Sequence, residues 1–456
     1  MSIASKATLH DLTASEAADL IRRREISSLE LVEALLARIA RVEPMLRSFV
    51  TVDAEGARAA AKAADDAFRA GRGTGTLHGV PFAAKDIYDA EGLPTTAGYP
   101  PLARNVAKAD AFTVARLKAA GAVLVGKAVT TQFASGDPSP TRNPWRADRT
   151  PGGSSSGSAA AVAARLVPIA LGTQTGGSIL RPAAYNGVVG LKPTYGRVSR
   201  RGIVPLSWSL DHAGPIVRSV EDAALVLGVL AGHDPLDPRS LQADPFDPGA
   251  ARAALPKPRL GLLVDFIDRA EPNVRAHLVD VAARLRDAGA TVTEIRLRSS
   301  FDLYVAVHRL TMQAEAATVH AGWIARERQH YSPRIRGEAM VGQVLPAWVY
   351  LQSQRVRRRL AAETSELAAE FDAFVLPTAS NLAPGPETTG DPSFQSPWSL
   401  LGWPSISLPS GISADGLPFA VQLVARRLDE VTLLRAARRV EEVLGFSGRP
   451  PDVREG

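Results

Sequence analysis

Apolar residues Leu31, Leu35, Ile39 and Val42 recur at the spacing of one helical face, which predicts a helix over 28–42. Ser27 and Glu30 stand before that face as a capping box, in which each side chain satisfies the other residue's backbone N–H. A second helix is expected over 53–70. The texture then changes. Val80-Pro81-Phe82-Ala83-Ala84 is a short apolar run behind a glycine, ending at Lys85 and Asp86, and it reads as a buried strand that ends in charge. A helix over 110–120 is stopped by Gly121, and Ala122–Val125 reads as another strand. Residues 159–165 suit a helix and Val167–Leu171 a strand. From 259 the alternation resumes, with strand 259–264, helix 273–288 and strand 291–297. Helices follow over 301–330 and 346–371, then strands near 373–376, 404–408 and 419–424, and a closing helix over 429–444. Helices alternating with continuous apolar strands imply an α/β sheet covered on both faces. Pro- and Asp-rich 233–258 reads as a long surface connection. Strands near both ends look alike, so one mixed sheet built from distant segments and a pair of domains both fit the pattern.

Composition narrows the classes. Of 456 residues, 45% are hydrophobic and 22% charged, which excludes a disordered or fibrous chain. The net charge of +6 is spread along the chain and bears on solubility more than on a nucleic-acid partner. There is no cysteine, so disulfides, thiolate zinc sites, iron–sulfur clusters and a cysteine nucleophile are excluded. Residues 1–20 lack the apolar run of a signal peptide, and no stretch is long enough for a transmembrane helix, so a cytoplasmic location is expected. Arg355, Arg357, Arg358 and Arg359 form a basic run on an expected helix, read as a solvated face.

Two Gly/Ser clusters interrupt the alternation: Pro151-Gly152-Gly153-Ser154-Ser155-Ser156-Gly157-Ser158 and Gly172-Thr173-Gln174-Thr175-Gly176-Gly177-Ser178. Glycines let the backbone approach a ligand, and successive N–H groups in such a turn can converge on an anion. A flexible linker is the bland alternative, weakened because both clusters flank one helix–strand unit inside the expected core. Gly153-Ser154-Ser155-Ser156-Gly157 also matches a nucleophile elbow, but no strand precedes it, and the last histidines, His308, His320 and His330, fall in expected helices. A serine nucleophile without a histidine needs another base, and Lys85 at a strand end is available; alone, such a lysine is more often a solvated charge. No metal or nucleotide motif is present.

These segments resemble the amidase signature family. Leu77-His78-Gly79-Val80-Pro81-Phe82-Ala83-Ala84-Lys85-Asp86 is similar to the family's lysine strand, and Gly92-Leu93-Pro94-Thr95-Thr96-Ala97-Gly98 to the loop after it. Gly152 to Ser158 is similar to its Gly-Gly-Ser-Ser segment, and Thr175-Gly176-Gly177-Ser178-Ile179 to its nucleophile turn. Val188 to Gly196, Gly402 to Gly411 and Asp415-Gly416-Leu417-Pro418 also fit, so the resemblance covers about 10–235 and 373–444.

The resemblance implies an amidase signature fold, one mixed central β-sheet with helices on both faces, in a single domain over 1–456. Within it, N-terminal helices would occupy about 10–70, a signature core about 76–235, and a variable pocket region about 300–370. It further implies a triad of Ser178 as nucleophile, Ser154 as bridging serine after a cis Gly153–Ser154 peptide, and Lys85 as base. The N–H groups of Thr175, Gly176, Gly177 and Ser178 would form the oxyanion hole, and Ala134 would lie by the substrate together with Ser154. The family's usual Asp four residues before the nucleophile is here Gln174, and its usual Arg two after is Leu180, followed by Arg181. The implied activity is hydrolysis of an amide, with carbamate and ester bonds also open, through a seryl acyl-enzyme without metal or cofactor. The expected partner is a small-molecule amide or carbamate, with no nucleic acid, no membrane and homodimerisation open. The alternative is the amidase component of a tRNA-dependent amidotransferase complex. Aromatic residues of 301–350 and 394–403 (Phe301, Tyr304, Trp323, Trp348, Tyr350, Phe394, Trp398 and Trp403) suggest an apolar or aromatic acyl group if some of them line the pocket.

Overall fold

The fold is described from a computed structural model for residues 6–72 and 75–451; residues 1–5, read above for a targeting segment, lie outside that range. Among the described residues no helix is long and apolar enough to cross a membrane. The strands are β1 (Phe49–Val52), β2 (Pro81–Lys85), β3 (Val123–Ala128), β4 (Ile169–Gln174), β5 (Val189–Lys192), β6 (His212–Val217), β7 (Arg259–Leu263), β8 (Thr291–Ile295), β9 (Ala373–Pro377), β10 (Ser405–Ile412) and β11 (Pro418–Val424). They form one 11-stranded sheet in the order β1-β3-β2-β4-β6-β5-β10-β11-β9-β7-β8. The sheet is mixed. β2 runs parallel to β3 and β4, and β7 parallel to β8 and β9, while the remaining neighbours are antiparallel. This is the expected fold class.

Side chains alternate across a strand, so a strand buried on both faces shows no polar positions. In β2, Phe82 and Ala84 enter one apolar cluster, and Ala83 enters the other. In β4, Ile169 and Leu171 divide from Ala170 in the same way. The second cluster is completed by Val32, Leu36, Ile39 and Val42 of the helix Ser28–Leu46 and by the helix Ser156–Ala163. Helices Ala14–Arg22, Val220–Leu230 and Glu430–Leu444 cover the other face. The Ser27–Glu30 capping box forms, with Ser27 N–H donating to Glu30 Oε2 at 2.9 Å and Glu30 N–H to Ser27 Oγ at 3.1 Å.

Behind the end of β2 lies a buried ion pair. Lys127 Nζ on β3 is 3.0 Å from Asp86 Oδ1, and both side chains are fully enclosed. Burial lowers the lysine's pKa and raises the aspartate's. Lys127 also donates to the Pro94 carbonyl at 2.9 Å and to Thr95 Oγ1 at 3.1 Å, tying down the loop after β2.

Candidate active site

Because β2 and β4 are parallel, their C-terminal ends lie side by side, which brings Lys85 next to residues 173–178. Lys85 is fully buried. Its Nζ lies 2.7 Å from Ser154 Oγ and 2.7 Å from Thr173 Oγ1. Burial pulls its pKa well below the usual lysine range, opposed by the negative field of Asp211, so the charged form is less favoured than for a lysine in water.

The first Gly/Ser cluster is not a linker. Residues 151–158 are all buried, and its serines are engaged in hydrogen bonds. Ser155 Oγ donates to the Thr173 carbonyl at 3.2 Å, Ser156 Oγ to the Gly152 carbonyl at 2.8 Å, and Ser158 Oγ to the Leu171 carbonyl at 2.9 Å. The Gly153–Ser154 peptide is cis, and Gly152 has a positive φ of 77°. Gly157 is required by close approach: a Cβ there would lie 2.2 Å from the Ser48 carbonyl oxygen and 2.4 Å from Val129 N.

The second cluster runs from the end of β4 into the turn after it, 175–178, and the four carbonyls of that turn are all hydrogen-bonded. His308 Nε2 donates to Thr175 O at 2.9 Å, Ser399 Oγ to Gly176 O at 2.8 Å, Arg181 N to Gly177 O at 2.9 Å, and Ser155 N to Ser178 O at 3.3 Å. The last of these bonds places the Ser178 backbone against the segment that carries Ser154. Thr175, Gly176, Gly177, Ser178 and Ala134 all line a cavity of about 580 Å³. Lys85 and Ser154 lie behind that wall, with no exposed surface. The structure thus puts Lys85 in direct contact with Ser154, and the Ser178 main chain against Ser155.

Gln174 explains how the turn tolerates its departure from the family pattern. Its Oε1 accepts from Ile179 N and Leu180 N, each at 3.0 Å, and its Nε2 donates to Ser399 Oγ at 3.1 Å. A neutral amide therefore anchors the start of the helix Leu180–Asn186, and Leu180 is fully buried where a charge would otherwise need a partner. Gln174→Ala would leave the Ile179 and Leu180 N–H groups without their side-chain acceptor and remove one donor to the Ser399 hydroxyl, which keeps its bond to the Gly176 carbonyl. It is expected to lower stability by about 2–4 kcal/mol, read as a reduced denaturant midpoint at unchanged slope. An unchanged midpoint would refute the anchoring role.

The aromatic residues do not line the cavity. Besides the turn, its lining includes Val305, His308, Met312, Arg334, Glu338 and Val341, together with Asp391 and Pro392. Phe301, Tyr304, Phe394, Trp398 and Trp403 fill a core cluster under the sheet's second half. Trp323 stacks on Phe133 with ring centroids 5.1 Å apart, and Trp348 is 69% exposed. The aromatic acyl pocket expected from these residues is therefore absent from this wall. Sequence reasoning missed Thr173, which shares Lys85 with Ser154, and His308, which fixes the turn. Thr173 sits inside the second Gly/Ser cluster and could have been read from it; His308 is a tertiary neighbour with no local signal.

The sequence pattern of the family described as Amidase matches residues 30–434. The glutamyl-tRNA(Gln) amidotransferase A-type component of Roseiflexus sp. (strain RS-1) is 40% identical over 98% of this chain and 99% of its own length. Among solved structures, the chain is similar to one from a vestigial protein complex that reveals the evolutionary origins of an s-triazine catabolic enzyme. The TM-score is 0.90 and the identity 33%, over 96% of this chain and 100% of that one. The corresponding glutamyl-tRNA(Gln) amidotransferase component of Thermotoga maritima superposes with a TM-score of 0.82 at 30% identity, covering 95% of each chain. These relatives overturn the expectation of a small-molecule partner with no nucleic acid. The likeness to proteins named for glutamyl-tRNA(Gln) runs along nearly the whole chain, whereas that expectation rested on net charge, which reports solubility and not assembly.

Proposed function

The chain belongs to the amidase family of C–N hydrolases, and from that premise we propose that it is the amidase component of a tRNA-dependent amidotransferase complex, releasing ammonia from a carboxamide. The observation that carries the chemistry is the enclosed Lys85 Nζ, 2.7 Å from Ser154 Oγ, with its pKa depressed by burial. Ser178 Oγ attacks the carbonyl carbon. Its proton moves to Ser154 Oγ as the Ser154 proton moves to Lys85 Nζ. The oxygen turns negative and is held by N–H groups of 175–178, a contribution often worth about 3 kcal/mol per donor. As the C–N bond breaks, the proton returns to the leaving nitrogen, which departs as ammonia. The same relay run with water cleaves the acyl-enzyme. In the complex, ammonia passes to a second site on a partner.

Membership of such a complex is supported by identity of 40% across 98% of the chain. A second reading, a catabolic C–N hydrolase, is supported by the 33% identity and TM-score of 0.90 to the chain from the s-triazine-related complex. Carbamates and esters carry the same electrophile and belong in the comparison. The test is ammonia release from carboxamides by the purified chain, alone and with its genomic neighbours, with and without glutamyl-tRNA(Gln). Conversion of that tRNA to its amidated form is expected. Full turnover by the isolated chain, with no tRNA product from any combination, would favour the second reading.

Among the described residues no group of three or more His, Cys, Asp or Glu side chains could hold a metal ion. EDTA is therefore expected to leave the initial rate unchanged. Loss of activity restored by a divalent metal would overturn the proposed mechanism.

A further inference from the structure

The helix Pro333–Val344 brings Pro333, Arg334, Gly337, Glu338 and Val341 into the cavity lining. Its own apolar hold is small, since it buries only Ile335 and Ala339. Ser332, at its N-cap, makes no side-chain bond to the first turn. The first backbone N–H groups of a helix have no partner within the helix, so acceptors must come from elsewhere.

A loop from the other half of the chain supplies them. Asp137 accepts from Arg334 N at 3.0 Å through Oδ1 and from Ile335 N at 3.1 Å through Oδ2. Gln132 Oε1 accepts from Ser332 N at 2.6 Å, and its Nε2 donates to the His330 carbonyl at 2.9 Å. Ser135 Oγ donates to Glu338 Oε2 at 3.1 Å, and Phe133 stacks on Tyr331 with ring centroids 5.3 Å apart. Gly136 permits the close approach, because a Cβ there would lie 2.5 Å from Arg334 Nε.

The loop is a firm support. Thr131 N donates to the Ser154 carbonyl at 3.2 Å, which ties the loop to the segment of the proposed relay. Phe133 and Ala134 hold left-handed φ angles of 50° and 58°, which persist in non-glycine residues only where the surroundings enforce them. Within this latch Asp137 alone sets a carboxylate against the helix N–H groups. Such bonds are stronger than neutral ones, and a negative charge is favoured at that end of a helix.

We propose that Asp137 is a positioning residue. It sets where the helix Pro333–Val344 stands in the cavity wall, and so how tightly the cavity binds a long acyl chain, without taking part in bond cleavage. Its expression in KM rests on the amide-hydrolysis reading above; its effect on the helix does not.

The variants are Asp137→Ala, which removes both acceptors, and Asp137→Asn, which keeps one. Hydrogen exchange of the substrate-free protein is read at the amides of 338–342, which make no bond to Asp137. Asp137→Ala is expected to speed their exchange by about tenfold, as for a lost helix cap, and Asp137→Asn by less, with the denaturant midpoint of the whole protein little changed. Faster exchange at 334 and 335 alone would mean that Asp137 merely covers two N–H groups, and would overturn the proposal. The kinetic probes are acetamide and hexanamide, of which the longer fills more of the cavity. In Asp137→Ala, KM for hexanamide should rise by at least about threefold at unchanged kcat, while both constants for acetamide stay at the wild-type values. An equal fall in kcat for both amides would overturn the proposal. If the wild-type protein cleaves neither amide, calorimetry with hexanamide replaces KM. Weaker binding to Asp137→Ala would then support the positioning role while counting against ammonia release, and equal or undetectable binding would overturn the positioning role.

Discussion

Lys85→Arg is expected to abolish amide cleavage, with kcat falling by about 10³-fold or more in a protein that still folds. The guanidinium keeps the charge and much of the length, but it does not deprotonate near neutral pH and so cannot take the Ser154 proton. Lys85→Ala should be about as inactive. The wild-type pH profile follows from the same group. Burial lowers the Lys85 pKa well below its usual value, so kcat/KM should rise with pH through that depressed value and level off before ~10.4. Stability carries the same sign. Below ~10.4 the unfolded lysine binds a proton more readily than the folded one, so the cost of burying Lys85 shrinks as pH climbs towards ~10.4. Histidine is the competing base. His308 is the histidine in the cavity wall, but its Nε2 must carry the proton that it donates to Thr175 O, and burial lowers its pKa to about 4. His78 faces the Ala64 carbonyl at 3.0 Å, so His78→Ala should keep the pH profile. A folded Lys85→Arg with near-wild-type turnover would end the lysine assignment.

Ser154→Ala is expected to cost about as much as losing Lys85, because the relay then has no link between Ser178 and the amine. Groups that act as one unit lose their effect once rather than twice. The double variant Ser154→Ala/Lys85→Ala should therefore be no slower than the slower single variant, within a few-fold. Multiplying defects would mean that the two residues act separately. Circular dichroism and a denaturant midpoint must accompany each rate, since Ser154 lies in a fully buried segment.

The sheet was legible where strands are short, apolar and buried on both sides. Phe82, Ala83 and Ala84 form an unbroken run because they feed both clusters at once. β5 and β6 were not recognised, because Gly190, Gly214 and Pro215 interrupt runs that tertiary pairing nevertheless holds in the sheet. The helix Pro333–Val344 buries only Ile335 and Ala339, too little to show a face. The candidate site was legible through its two Gly/Ser clusters and the lysine strand, which carry their geometry locally. The cavity wall was not. Aromatic content suggested an apolar or aromatic acyl group, yet Phe301, Tyr304, Phe394, Trp398 and Trp403 fill a core cluster, and Trp348 is exposed.

The strand order has a consequence for synthesis on the ribosome. Strands from the first half of the chain occupy one side of the sheet, strands from the second half the other, and the two sides join where Gly190, Leu191 and Lys192 pair with Ser407, Ile406 and Ser405. β5 is made about 210 residues before β10, so its free edge waits on the order of 10–40 s for its neighbour. An open, apolar edge of that kind invites pairing between nascent chains. Slower emergence of 405–412, through rare codons, should therefore lower soluble yield before it alters any rate constant. By the same division, Lys85, Ser154 and Ser178 come from the first half, whereas His308, Arg334 and Ser399 come from the second. Chimaeras joined within 233–258 would exchange much of the cavity wall while keeping the proposed chemistry.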